Sequence, residues 1–542
     1  MTNKQPKYKI PSTTIAGKMF GKMYGNLPCF KLSLSAASYA LAATLAMAAA
    51  ANAGGVDVSK ITRGNVSFSQ DGNRLVVRAS NGSIIEYNRF SIEAGQIMQF
   101  IQPSANSRVL NRVTGAELSR IDGALLSNGI VYLVNPQGIR IGNGALINVG
   151  GFYAAAGAMS DNDFIRGNNT FTDLAGKVTN EGTIQAQSVA LVGQYVANHG
   201  TINVDDGMIA MAAGDTVFLQ NGPSPFMVTV NRSAMGADSS GAGTEAAVTN
   251  TGTINAGKGR VSMGSGDFYA LGMNLSGTII GKSIAARGGK GSVVAVNGTL
   301  DASSSAGKGG DIDVFGDRVG LFGNALVNAN GATGGGSVRI GGDYLGSNAA
   351  NAPQANRTFI GTDARVTANA TQGGDGGRVI VWSNEYTGFF GSIEANGAGT
   401  GNGAGNGGFV ETSSHDNLQA FGRVDAKAAL GGKGGTWLMD PADVAIVAGS
   451  AGALVAGVFD PGSSPATIGV DQINASLNGG TSVTINTGTP LDGLGGTGII
   501  ALTGNILMTA GGSQTLTLNA LANIILDGNI TASGTGNNLS VV

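Results

Sequence analysis

The chain is poor in the side chains that ordinary site chemistry draws on. Its 542 residues include one cysteine, Cys29, and two histidines, His199 and His415. A single thiol excludes an intrachain disulfide. With no catalytic partner legible for either histidine in the sequence, no Ser-His-Asp or Cys-His arrangement is credible. Charged residues make up only 12 % of the chain and apolar residues 42 %, so it has the means to bury a core and lacks the profile of a disordered segment. Proline numbers 12 and no Gly-X-Y register runs, which excludes collagen despite 91 glycines. Aromatics are 6 %, too few for a core built around large rings and well suited to thin layers of Val, Ile, Leu and Ala. No long segment keeps a 3.6-residue apolar stripe, so helices are not expected.

What the chain does have is a recurring phrase. Val178-Thr-Asn-Glu-Gly-Thr-Ile184, Val196-Ala-Asn-His-Gly-Thr-Ile202 and Val248-Thr-Asn-Thr-Gly-Thr-Ile254 share one pattern, with looser copies at Ser276-Gly-Thr-Ile279, Asn297-Gly-Thr-Leu300 and Gly391-Ser-Ile393. Each copy reads as an Asn-x-Gly turn feeding a β-branched pair. A period of about 20 with one short strand per copy marks a stacked repeat, because no unit buries its face alone. Short alternating runs such as Arg74-Leu-Val-Val-Arg78, Asp311-Ile-Asp-Val-Phe315, Arg378-Val-Ile-Val-Trp382 and Thr515-Leu-Thr-Leu-Asn519 read as strands. The predicted fold is all-β: one solenoid of about 20 coils at roughly 20–25 residues each. The Val, Ile and Leu of the repeats, including Ile184, Ile202 and Ile254, are expected to point inward.

The N-terminus reads as a targeting segment. Residues 1–31 carry six lysines and no acid, 32–51 are apolar and Ala-rich, and Ala51-Asn52-Ala53 before Gly54 is a small-x-small cleavage site. Cleavage there removes Cys29 and takes the net charge from −2 to −8. That mild acidity offers no electrostatic footprint for nucleic acid.

Four regions follow: a signal peptide at 1–53, a motif-rich and repetitive part at 54–300, a glycine-rich continuation at 301–436, and a further repeat region at 437–542. In the third, clusters such as Gly307-Lys-Gly-Gly, Gly334-Gly-Gly and Gly373-Gly-Asp-Gly-Gly are expected to supply positive-φ turns between strands. Trp437-Leu-Met-Asp-Pro441 reads as a break in the pattern. No polar capping repeat follows Asn538-Leu-Ser-Val-Val542, so the expectation is a longer repetitive protein.

The stretch Val109-Leu-Asn-Arg-Val-Thr-Gly115, Ser119-Arg-Ile-Asp-Gly123, Leu126-Ser-Asn-Gly129, Val131-Tyr-Leu-Val-Asn-Pro-Gln-Gly-Ile139, Gly142-Asn-Gly-Ala145 and Ile147-Asn-Val-Gly-Gly151 strongly resembles the haemagglutination-activity domain. This is the N-terminal secretion domain of filamentous haemagglutinin and other two-partner-secreted exoproteins, and the match is densest over residues 60–185. Gly408-Phe-Val-Glu-Thr-Ser413 and Trp437-Leu-Met-Asp-Pro441 look like the high-molecular-weight adhesin branch. The resemblance implies a right-handed parallel β-helix, passage through the periplasm as an unfolded chain, export by a dedicated outer-membrane barrel, and a place at the surface of a Gram-negative bacterium. The family motif Asn-Pro-Asn-Gly-Ile corresponds to Asn135, Pro136, Gln137, Gly138 and Ile139, with Gln137 in place of the second Asn. Asn first, Pro second and Gly fourth are also the preferences of a type I turn. Two roles fit this turn: shaping the fold, or also being read by the transporter.

Other chemistry is thin. His199 fills the slot held by Glu181 and Thr251 in sister copies, which marks an exposed turn. His415 lies in Glu411-Thr-Ser-Ser-His-Asp416, where a strand end is favoured over a metal site. Ile280-Gly-Lys-Ser283 is a near miss of a phosphate loop, and one imperfect nonapeptide at Gly307–Val314 does not make a calcium roll. No cofactor and no small-molecule substrate are expected. The leading expectation is an adhesin with an unidentified surface receptor. The alternatives are a carbohydrate-active enzyme on the same fold and the stalk of a contact-dependent toxin.

Overall fold

The computed structural model describes residues 55–219, 228–231, 245–267, 269–347, 352–449, 458–459, 466–488 and 496–541. The proposed cleavage residues Ala51, Ala53 and Gly54 lie outside the described residues. From Ser119 onward the chain winds as a parallel β-helix with three strands in a typical coil. The repeated phrase generates it directly. Val178-Thr-Asn180 lies on the first face, Glu181-Gly182 turns the chain, and Thr183-Ile184 starts the second face. After a bend the run Val189–Gly193 forms the third. Successive coils pair in parallel and in register: Val178 with Val196 and then Val248, Ile184 with Ile202 and then Ile254, Val189 with Ile209 and then Val261. A pleated strand sends alternate residues to opposite sides, so registered stacking sends like residues inward together. Ile184, Ile202 and Ile254 are fully buried.

Among the described residues the first-face sheet has 15 strands, from Ser119–Ile121 to Ile524–Leu526. That is fewer than the expected 20 or so, because several coils carry excursions. Two are helices, α1 (Asp161–Arg166) and α2 (Val470–Asn478). Another is the antiparallel hairpin of Thr216–Leu219 with Val228–Asn231. The helices were not expected from composition. In α1 the local signal is a cap: Ser160 accepts a hydrogen bond from the Asp163 amide, and Gly167 ends the helix at φ 78°. The N-terminal end of the solenoid is closed by antiparallel pairs, Val56–Arg63 with Ser83–Phe90 and Val66–Asp71 with Arg74–Ala79.

Two expectations are corrected. Most glycines of the clusters at 307–310, 334–336 and 373–377 do not serve positive φ, and they follow the rule of the repeat glycines. Gly200, Gly252, Gly277 and Gly298 lack it, and a Cβ on each would lie 2.1 Å from the carbonyl oxygen of the equivalent glycine one coil earlier. The same holds in the glycine-rich region, where a Cβ on Gly336, Gly377 or Gly408 would meet Gly310, Gly336 or Gly377 at 2.1–2.2 Å. Some cluster members, such as Gly334 and Gly374, do have positive φ, but the stacked pairs answer to close approach. Second, Trp437 does not break the pattern. The strand Thr436–Met439 continues the third face, and Trp437 is fully buried between Val410 and Val483. Its indole donates to Thr412 Oγ1 at 2.9 Å, so the one polar atom of this large side chain is satisfied.

Candidate functional site

The Asn135 turn is built by the strands it joins. Ile130–Val134 ends on the third face and Ile139–Ile141 begins the first. The Gly138 amide donates to the Asn135 carbonyl at 3.0 Å and closes the turn. Asn135 is fully buried. Its side-chain oxygen accepts from the Gln137 amide at 2.9 Å, and its Nδ2 donates to the Glu117 carbonyl at 2.9 Å and to Ser119 Oγ at 3.0 Å. Gly138 has φ 111°, which disfavours any side chain, and a Cβ there would press on the Lys177 carbonyl at 2.9 Å. Gln137 is the one exposed member of the four. The Gln that departs from the family motif therefore stands where the side chain meets solvent, and the backbone bonds of the turn do not depend on it.

Beside this turn lies a second hydrophobic layer that alternation in the sequence does not announce. The third-face strands are buried on both sides over Ile130–Val134, Gly151–Ala155 and the ends of Thr183–Gly193 and Thr201–Ala213. The inward side joins the main core. The outward side, with Tyr132, Tyr153, Ala190 and Ala210, packs under α1 and the strand Asn169–Phe171. Tyr132 and Tyr153 stack at 4.6 Å, and Tyr132 donates to Asn169 Oδ1 at 2.9 Å. Arg112 ties the layer down by donating to the Met159 carbonyl at 2.9 Å while pairing with Asp161 at 2.5 Å and Glu86 at 3.4 Å. The available signal was the continuous apolar runs Ile-Val-Tyr-Leu-Val and Phe-Tyr-Ala-Ala-Ala, the mark of a strand buried on both faces.

The repeated Asn is also more than a turn former. Asn180, Asn198 and Asn250 are fully buried and form a column, with Nδ2 of each lower residue donating to the next Oδ1 at 2.7 and 2.8 Å. Ile141 precedes the column and Leu275 follows it at the same register position.

The histidines stay apart. His199 is exposed and bonded through Nδ1 to Thr251 Oγ1 at 2.7 Å, on the turn where it was expected. His415 contacts Asp416 at 3.1 Å. Among the described residues no group of three or more His, Cys, Asp or Glu is arranged to hold a metal. Ile280-Gly-Lys-Ser283 bridges two strands, Thr278–Ile280 and Ser283–Arg287, with no helix following. Glu411, in the adhesin-like Phe-Val-Glu-Thr phrase, is fully buried beneath the turn around Leu345. Burial pushes its carboxyl up to about 8, and nearby Asp440 adds to this. The Leu345 amide, 3.2 and 3.3 Å from the two oxygens, and the Arg378 guanidinium act in the opposite direction.

Residues 50–314 match the family described as the TPS secretion domain. The chain is 31 % identical over 204 residues to a heme/hemopexin-binding protein of Haemophilus influenzae strain Rd, an alignment covering 37 % of this chain and 22 % of that protein. A second Haemophilus influenzae heme/hemopexin-binding protein is 36 % identical over 101 residues, covering 19 % of this chain and 10 % of that one. This chain thus spans less than a quarter of the length of these relatives. Among solved structures, the HMW1 secretion domain from Haemophilus influenzae superposes with a TM-score of 0.61 at 29 % identity, over 71 % of this chain and all of that one.

Proposed function

We propose that residues 50–314, which match the TPS secretion domain and share the fold of the HMW1 secretion domain, direct export of a two-partner-secreted exoprotein through an outer-membrane barrel transporter whose periplasmic domains recognise them. The remaining coils are then displayed outside the cell as an adhesive surface. The observation that carries this reading is continuity. The strand Asp311–Phe315, where the family match ends, pairs in parallel with Ser283–Arg287 before it and Ser337–Ile340 after it. The secretion domain and the coils beyond are one uninterrupted stack, so a folded secretion domain is a template on which each later coil pairs. Such pairing is non-local and slow, which keeps the chain threadable before export.

The signal peptide at 1–53, cleaved after Ala53, delivers the chain to the periplasm. Within the turn, Asn135 acts by holding the corner between the third and first faces, and Gln137 is the group left for direct contact. The role is structural and adhesive.

A truncation ending after Phe315, the last residue of the strand Asp311–Phe315, co-expressed with the cognate transporter, tests this. The expected result is a folded fragment in the medium. Retention in the periplasm would refute it. A boundary at 300 is less favourable, since it cuts the strand Thr299–Asp301, which pairs with strands on both sides.

A further inference from the structure

The buried Asn column satisfies itself, but a second amide column on the outer corner of the second face does not. Asn148, Gln185, Asn203 and Asn255 follow one another in register through four coils. Asn148 and Gln185 are exposed, Asn203 is partly so, and the side chains of these three make no hydrogen bond to any described residue. The Asn255 oxygen takes the Gly257 amide at 2.9 Å.

These amides line an open groove of about 1030 Å³. One wall is a bulge. Ala186 pairs with Val204 and Ser188 with Met208, so Gln187 alone faces the three residues Asp205, Asp206 and Gly207. Asp206 holds φ 54° and its carboxylate takes the Lys258 amide at 2.7 Å, which fixes the bulge and leaves Asp205 exposed. The floor is kept low by glycine: a Cβ on Gly207 would lie 2.0 Å from the Gln187 carbonyl oxygen.

No residue lining this groove is cationic and none is aromatic. A phosphate, sulfate or carboxylate ligand would meet acids with no counter-charge, and an apolar peptide side chain would find no apolar pocket. An amide offers a donor and an acceptor in one plane, and a carboxylate offers acceptors. That set suits neighbouring hydroxyl groups, each of which both donates and accepts. Coils stack about 4.8 Å apart, so the four rungs present this chemistry periodically over about 14 Å. We propose that the groove binds a neutral glycan, an extended chain of hydroxylated rings lying along the stacking direction. The proposal rests on the reading that the folded domain is displayed outside the cell, and it names the chemical class that this surface would hold there.

The test uses the full mature chain, taken from the medium or, should export fail, made in the cytoplasm without its signal. Export failure would count against the transport reading and leave the binding measurement intact. Calorimetric titration uses maltohexaose, cellohexaose and mannohexaose as neutral probes, with oligogalacturonate, a heparin hexasaccharide and a Gly-Ser-Thr peptide as comparators. At least one neutral hexasaccharide should bind. The pair Gln185→Leu and Asn203→Leu should weaken that binding on the order of tenfold or more, from the lost hydrogen bonds, with the melting temperature unchanged. Should that pair disturb the fold, Asp205→Ala at an exposed position provides the second variant and should weaken binding several-fold. The proposal is overturned if no neutral probe binds, if only the anionic probes or the peptide bind, or if the variants that fold bind as tightly as the parent.

Discussion

Asn135 and Gln137 sit two residues apart in one turn and answer to different physics. Asn135 is enclosed, and all its polar atoms are spent on Glu117, Ser119 and Gln137. Asn135→Ala removes three hydrogen bonds and takes a partner from the buried Ser119 hydroxyl and the partly buried Glu117 carbonyl. A net loss of about 2–4 kcal/mol is expected, at roughly 0.5–1.5 per bond and more where a partner is stranded. Gln137→Asn restores the family motif at an exposed position and should change stability by less than about 0.5 kcal/mol. Melting of the mature chain checks both. Secretion adds the functional measurement: if Gln137→Asn alters export at unchanged melting, the transporter reads that side chain. If only Asn135→Ala alters export, and in proportion to its melting, the turn acts through shape.

At the scale of elements, the Asn column and the Glu411 turn show how a stacked fold treats buried polar groups. Asn198 is the middle member, donating to Asn250 and accepting from Asn180. Asn198→Leu should strand a donor below and an acceptor above, at a cost of about 2–4 kcal/mol. Replacing all three by Leu removes the amide–amide bonds together and strands only the Gly182 amide, which gives up the Asn180 oxygen, and Leu275 already occupies this register position in the next coil. The triple variant should therefore melt higher than the single one. A single variant as stable as the triple would mean that the column carries no coupled hydrogen bonding. Glu411 makes a pH prediction. Unfolded, its carboxyl loses the proton near the ordinary 4.5; folded, only near 8. Between those values the folded state holds the extra proton, so stability should fall as pH rises from about 4.5 and level off above about 8. The loss is on the order of a few kcal/mol. Glu411→Gln still accepts from the Leu345 amide but does not titrate. It should flatten this slope and melt above the parent at pH 9; equal melting across the range would exclude a titrating Glu411.

For the solenoid as a whole, each coil is held by its neighbours, so protection from exchange should follow the number of stacked partners. The strands Ile524–Leu526 and Asn538–Val541 pair on one side, and the nearby Leu521, Leu526 and Leu539 are half exposed. Among the described strands of the stack, hydrogen exchange should be fastest there and slowest in the coils around 178–300, which are paired on both sides. Uniform protection along the ladder would mean that the solenoid opens as one unit.

The repeat, its strand content and its inward residues were legible in the sequence, because Val-x-Asn-x-Gly-Thr-Ile states a turn and a strand side by side in the chain. The strands at Arg74–Ala79, Asp311–Phe315, Arg378–Val381 and Thr515–Asn519 followed from local alternation. What local pattern could not carry was anything decided one coil away. The repeat glycines are fixed by a carbonyl 18 to 52 residues distant in sequence, the Asn column by partners at the same spacing, and the inward place of Trp437 by Val410 and Val483. The outer layer over Tyr132 and the amide groove beside Asp205 arise where separate segments meet. The sequence by itself determined that this protein is a stack. Only the tertiary structure decided which atoms meet across the stack, since parallel pairing brings together residues that the chain keeps a whole coil apart.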